Sequence, residues 1–136
     1  LTCRVVLVGG PGEQELAASI VKKTVNPSLH NFCGDLSLDE SAYLVQKSEL
    51  VLTNDTGVMH IAAAFNKKII SFWGCTKPSI GFGPRVDPDR SITVLSNKSE
   101  FPCSKHGKHC RFQSDGCIKT ISTDEIYDAI IEMGYS

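Results

Sequence analysis

The sequence predicts an α/β fold: a Rossmann-like open parallel sheet with helices on both faces. Three observations carry this. Short apolar runs alternate with stretches of helical period along the 136 residues, and alternating strand and helix signals imply parallel strands joined by helices. The first run is continuous rather than alternating, as in a strand covered on both faces. Gly-rich or polar segments follow the strand signals, and ligands bind at that edge of such sheets.

The elements follow in order. Val5–Val8 is a short apolar run ending in Gly9-Gly10, and Pro11-Gly12 makes the turn. Glu13 to Lys23 has helical period, with Leu16, Ala17, Ile20 and Val21 on one face. Asn26-Pro27 breaks it. Leu29 to Cys33 is a second strand, closed by Gly34-Asp35. Ser37 and Glu40 form a capping-box pattern for a helix that buries Leu38, Ala42 and Val45. Leu50–Thr53 is the third strand and Val58–Phe65 the third helix. Lys68–Trp73 is the fourth strand. Gly74 to Arg90 is Pro/Gly-rich and aperiodic, a long loop of the kind that often carries function. Ile92–Leu95 is the fifth strand. Asp124–Met133 is the last helix, behind a Ser122/Thr123 cap.

Size and composition bound the rest. The length fits one domain with a real core. Apolar content of 41% and charged content of 21% are those of an ordinary globular domain. A net charge of −1 gives no global attraction to nucleic acid or an anionic membrane. No apolar run reaches membrane-spanning length, and the start resembles neither a signal peptide nor its cleavage site. Cys3, Cys33 and Cys75 lie at or beside apolar runs, where free Cys behaves as a small buried hydrophobe. That placement predicts a reducing, cytoplasmic compartment.

The chemistry is expected at the strand ends. Asn54-Asp55-Thr56-Gly57-Val58-Met59-His60-Ile61-Ala62-Ala63-Ala64 joins the third strand to the third helix. A helix start there presents free N–H groups and the positive end of a dipole, a ready phosphate site. Gly57 permits close approach, and His60 lies in the first turn, either as a hydrogen-bond donor to phosphate or as an exposed helical histidine. Asp55 orients the loop or holds sugar hydroxyls, since like charge keeps it from phosphate. A bare helix cap explains Thr56 equally simply. The turn Gly9-Gly10-Pro11-Gly12-Glu13 lacks both the dinucleotide and the Walker spacing. It reads as a tight turn or as a close approach to a nucleotide. Glu13 is then either a first-turn carboxylate or an acceptor for ribose hydroxyls. No Asp-x-Asp pair stands at a strand end, so no metal-bridged diphosphate and no cofactor are expected.

Asn54–Ala64, followed by Ser71-Phe72-Trp73-Gly74-Cys75-Thr76-Lys77-Pro78, resembles glycosyltransferase family 9, the ADP-heptose:lipopolysaccharide heptosyltransferases and their relatives. Gly9-Gly10-x-x-Glu13 and Gly34-x-Leu36-Ser37-Leu38 match in order, and Val58 replaces a more usual Pro or Leu. The resemblance implies a GT-B enzyme of two Rossmann-like domains, of which residues 1–136 are the single C-terminal, donor-binding domain. It implies a nucleotide-sugar donor such as ADP-heptose, contacted at Gly10, Glu13, Leu36, Asp55, Thr56, Gly57, Met59 and His60. Glu13 would meet the ribose, Leu36 the adenine, and the Asp55–His60 loop the diphosphate and sugar. It also implies a lipopolysaccharide core acceptor and a location at the cytoplasmic face of the inner membrane. The catalytic base belongs to the N-terminal half, so no catalytic residue is assigned to this chain, which alone is expected to be inactive.

One feature stands apart. Cys103-x6-Cys110-x6-Cys117 encloses His106 and His109. Structural zinc prefers shorter C-x2–4-C gaps, so no metal is expected. Three Cys plus a His in a tetrahedral site remains open, as do free thiols or a disulfide. The readings in other classes are a non-catalytic α/β binding or regulatory domain and a small metal-binding module.

Overall fold

Parallel pairing runs through both ladders of the computed structural model, which describes residues 3–97, 102–104, 106, 108–112 and 116–135. The chain divides into two compact units, residues 1–44 and 45–136.

In the first unit β1 (Val5–Leu7) pairs in parallel with β2 (Leu29–Asn31), Val5 opposite Leu29. A single 3-10 turn, Pro11–Glu13, leads into α1 (Gln14–Lys23), where the sequence predicts one continuous helix from Glu13. Pro11 at the first position favours that turn, because its ring fixes φ and its missing N–H is not needed there. Lys22 and Lys23 sit in the last turn of α1, where cations suit the dipole. Val5 and Val6 stay 39% and 40% exposed, so the expectation of a strand covered on both faces does not hold. Successive strand residues point to opposite faces, so within this unit neither face of β1 is fully covered. Ala17 and Cys33 are its buried apolar side chains among the described residues. Cys3, expected at a buried strand, is exposed, lying before β1 rather than within it.

α2 (Leu38–Lys47) starts under the predicted capping box. The Ser37 N–H donates to Glu40 Oε2 at 2.8 Å, and the Glu40 N–H donates to Ser37 Oγ at 3.3 Å.

The second unit is a three-layer sandwich. β3 (Leu50–Asn54), β4 (Lys68–Trp73) and β5 (Ser91–Leu95) form a parallel sheet in that order. Strand period two sorts the side chains of β4. Ile69 and Trp73 join Val51, and Met59 and Ala62 of α3 (Gly57–Ala64), in one buried cluster. Ile70 joins Val94, and Ala129 and Met133 at the end of α4 (Thr123–Glu132), in the other, with Phe72 packed against it. The central strand is therefore the most buried, with Ile69, Ile70, Ser71 and Trp73 at 0% exposure. Ala62, also at 0%, shows why small residues follow His60: they let the helix lie close on the sheet.

The loop from Gly74 to Arg90 is tied down at both ends: near its start the buried Lys77 donates to the Ser96 carbonyl at 3.2 Å, and near its close it is held by Asn66. Asn66, in the left-handed region at φ 49°, ends α3. Its amide donates to Asp87 Oδ2 at 2.8 Å, and its carbonyl accepts from Arg90 at 3.1 Å. Two 3-10 turns, Pro78–Ile80 and Pro88–Arg90, break the loop, each opened by proline. Among the described residues, no helix is long and apolar enough to cross a membrane.

Candidate functional site

The start of α3 stands at the carboxyl end of β3. Thr56 takes the cap position in an extended conformation, φ −140° and ψ 170°, yet no side chain caps the helix. The reason is local. Thr53 Oγ1 donates to the Asn54 carbonyl at 3.0 Å, so in its 3.1 Å contact with Thr56 it accepts, and Thr56 donates. The Thr56 hydroxyl is thus turned back toward the strand. The Met59 N–H donates to the Thr56 carbonyl at 3.1 Å, which leaves the Gly57 and Val58 amides at the helix start with no carbonyl behind them, and the dipole adds partial positive charge. Thr56, Gly57 and His60 are exposed, and Asp55 is half-buried. A Cβ built on Gly57 meets nothing within 4 Å, so the space in front of this helix start is open.

Two clefts adjoin it. One, of about 270 Å³, is lined from the ends of β3 and β4 by Asn54, Asp55, Phe72, Gly74 and Thr76. The cysteine-rich stretches complete it with Cys75, His106, Gly116 and Ile118. The other, also about 270 Å³, lies along α3 between His60, Ala63 and Ala64 and the loop residues Gly81, Gly83 and Arg85. Asp55 and His60, five positions apart in one motif, therefore line separate clefts. Arg85 beside His60 escapes sequence reading. It is one of three cations in the Gly74–Arg90 loop, with Lys77 and Arg90, and no motif singles it out.

Met59 sits differently from its neighbours. Its side chain is 0% exposed within the core cluster, so only its backbone can serve a ligand. The helix period requires this: an apolar residue three positions into α3 turns toward the sheet.

In the first unit, Gly10 and Glu13 are exposed and Leu36 is half-buried. The Gly10 N–H donates to Glu13 Oε2 at 2.7 Å, so the carboxylate folds back over its own turn. A Cβ on Gly9 would lie 2.5 Å from that oxygen, so any larger residue there would push the Glu13 carboxylate out of its fold-back position. Burial, then the Glu13 and Asp35 carboxylates, push the Cys33 thiol up.

The cysteines gather in a way the sequence hides. Cys75, Cys103, Cys110 and Cys117 place their sulfurs within 4.8 Å of one another. Cys117 Sγ lies 3.4 Å from Cys75, 3.8 Å from Cys103 and 3.3 Å from Cys110. Cys75, read from sequence as a buried hydrophobe, supplies the fourth sulfur in place of a histidine. His106 and His109 are exposed and outside the cluster. As a free thiol Cys117 is pushed up to about 12, first by burial and then by contact with the other three sulfurs.

A parallel α/β sheet with an open helix start at its carboxyl edge has the architecture on which nucleotide-binding enzymes are built. The chain belongs to glycosyltransferase family 9 (heptosyltransferase), whose profile matches residues 2–113. It is 34% identical over 77 residues to lipooligosaccharide heptosyltransferase 2 of Haemophilus influenzae, covering 54% of this chain and 22% of that protein. With the protein of the same name from Campylobacter jejuni it shares 26% identity over 129 residues, covering 92% of this chain and 40% of that one. Two solved structures share the fold. The Escherichia coli ADP-heptose lipopolysaccharide heptosyltransferase II aligns with a TM-score of 0.74 at 20% identity, over 96% of this chain and 36% of that one. A family 9 glycosyltransferase of Veillonella parvula aligns with a TM-score of 0.76 at 22% identity, over 94% and 35%. The chain thus spans well under half the length of these relatives.

Proposed function

We propose that this chain is the donor-binding domain of a heptosyltransferase-like glycosyltransferase. It holds a nucleotide-diphospho-sugar, ADP-heptose or a close analogue, for transfer to a lipopolysaccharide core. The observation that carries the reading is the uncapped start of α3, opening onto space at the end of β3 in a chain of this family.

The mechanism follows from charge. Sugar transfer leaves a diphosphate that gains negative charge as the glycosidic bond breaks. Amides at a helix start, already oriented, stabilise that charge without rearrangement. Gly57 leaves room for the phosphate to reach them. Asp55 holds the loop or the sugar hydroxyls, and His60, with Arg85 in its cleft, supplies further donors. Glu13 takes the ribose hydroxyls through its second carboxylate oxygen, and Leu36 takes the adenine face. The acceptor and its base belong to a further domain. Work on a lipopolysaccharide core with an activated sugar, as the names of the relatives imply, supports a position at the cytoplasmic face of the inner membrane.

Titration with ADP, followed through backbone amide resonances, tests this. Gly10, Gly57 and Val58 should shift, UDP should act more weakly, and Glu13→Ala should weaken ADP binding. Amides unmoved by both nucleotides at about millimolar concentration, where binding of roughly −4 kcal/mol is half complete, would refute the donor site.

A further inference from the structure

We propose that Cys75, Cys103, Cys110 and Cys117 form a structural zinc site that staples the cysteine-rich segment to the end of β4. The proposal stands on its own, whatever ligand the neighbouring cleft takes.

Geometry is the first argument. Zinc bonded tetrahedrally to four thiolates at about 2.3 Å sets the sulfurs about 3.8 Å apart. Of the three contacts of Cys117, the one at 3.8 Å equals that value, and those at 3.4 and 3.3 Å fall short of it by about 0.4–0.5 Å, a small adjustment for an ion to make. All four sulfurs lie within 4.8 Å of one another, the span of a single ion. An iron–sulfur cluster spreads its four thiolates over two or four irons, so they do not all fall within the span of one ion. None of the six cysteines is in a disulfide.

The backbone is built to bring these sulfurs together. Cys75 directly follows β4, and its carbonyl accepts from the Cys103 N–H at 2.8 Å. Cys117 opens a 3-10 turn, Cys117–Thr120, whose Ile118 backbone N lies 2.8 Å from where a Gly74 Cβ would stand. Glycine there lets the turn seat against the strand end.

Four protein sulfurs complete a tetrahedron and leave no open position, which marks a structural site rather than a catalytic one. Cys103 and Cys117 are buried at 9% and 1%, out of reach of exchanging water. Soft, all-sulfur, tetrahedral ligation favours zinc among the common divalent ions. The segment also needs a staple. Among its described residues, 102 to 116 hold no helix or strand, and Phe112 is 52% exposed, so apolar burial does little to order it.

Charge agrees. Binding replaces four thiol protons by one divalent ion and leaves a centre of net charge −2. Residues 103 to 119 carry Lys105, Lys108, Arg111 and Lys119 against Asp115 alone, in a chain of net charge −1. This positive stretch offsets the dianion.

The test is elemental analysis and thiol counting on protein purified under reducing conditions without chelator. The expected result is one zinc per chain, with Cys3 reacting at once with a thiol reagent. The four cluster cysteines react only as zinc appears on a chromophoric chelator. Cobalt in place of zinc should give the intense thiolate charge-transfer bands of a tetrahedral all-sulfur site. Cys117→Ser should lose zinc and lower the melting temperature, while Cys3→Ser keeps both. Should Cys117→Ser fail to fold, Cys110→His, which keeps a nitrogen–sulfur tetrahedron, should retain zinc with weaker cobalt charge-transfer. Four freely reactive cluster thiols in metal-free, folded protein, a disulfide among them, or stoichiometric iron would each overturn the assignment.

Discussion

Gly74→Ala tests the junction on which both the cleft and the cysteine cluster rest. The added Cβ would stand 2.8 Å from Ile118 N and 2.9 Å from Ile118 Cβ. Ordinary contact begins at 3.4 Å, so the Cys117–Thr120 turn must retreat by about 0.6 Å. The neighbour is backbone, and no side-chain rotation relieves it. Overpacking of this kind costs about 1–3 kcal/mol. Gly74 does not need the left-handed region, so alanine also gains about 0.4–1 kcal/mol from a stiffer unfolded chain. The net loss is about 1–2 kcal/mol. For a chain of this size that lowers the melting temperature by roughly 3–10 °C. The same retreat carries Cys117 away from Cys75, while zinc tolerates bond errors of only about 0.2 Å. Calorimetry and competition with a chromophoric chelator read the two effects together. An alanine variant with unchanged melting and unchanged zinc retention would show that the turn does not seat on Gly74, and the reasoning fails.

Gly57→Ala separates binding from stability. A Cβ there meets nothing within 4 Å and improves helix propensity, so melting should hold or rise while ADP affinity, by titration calorimetry, falls about tenfold, roughly 1.4 kcal/mol; unchanged affinity would remove Gly57 from the phosphate site. Met59→Ala should destabilise by about 2–5 kcal/mol in denaturant unfolding, because its side chain is 0% exposed; a loss below about 1 kcal/mol would contradict that burial. Glu125 tests a cap through pH. The Ser122 N–H, then the Ser122 hydroxyl, hold its carboxyl below the usual range. A depressed carboxylate stabilises the fold in full above the unfolded value of about 4.3, and that stability is lost as pH falls through the folded value. Glu125→Gln should therefore lower melting near pH 7, with the gap to the parent closing as pH falls toward about 3. A gap constant with pH would show that the carboxylate charge plays no role.

Most of the fold was legible because its signals are local. Ser37 with Glu40 announces a helix start over three residues, and that box forms; the predicted Ser122 cap forms too, and the structure completes it as a box with Glu125. The apolar run Lys68–Trp73 is the central strand, and three alanines after His60 mark the helix that lies closest to it. What misled was local too. Val5 and Val6 look like a buried strand, yet cover depends on what packs on them, which a five-residue window does not contain. The Asn54–Ala64 motif marks the start of α3, and the structure puts Thr56 at its cap and Gly57 at its first position. Met59 was assigned with its neighbours, although helix period turns it into the core. Cys75 was missed because it reaches the other three sulfurs through tertiary structure. Only the seating of Ile118 on Gly74 makes Cys75 and Cys117 neighbours, and no spacing rule encodes that.

That seating has a consequence for the cleft. Gly74, Cys75 and Thr76 line it from the strand end, while His106, Gly116 and Ile118 line it from the cysteine-rich stretches. Cys75 thus belongs to both the sulfur cluster and the cleft lining. A segment without strand or α-helix makes a poor binding surface unless something fixes it, because ordering it on ligand binding costs affinity. Four sulfurs held on one ion would remove that cost before a ligand arrives. The staple and the open start of α3 are then two parts of one device. The helix start supplies positive charge that is oriented in advance, and the cluster keeps the opposite side of the cleft from moving when that charge is used.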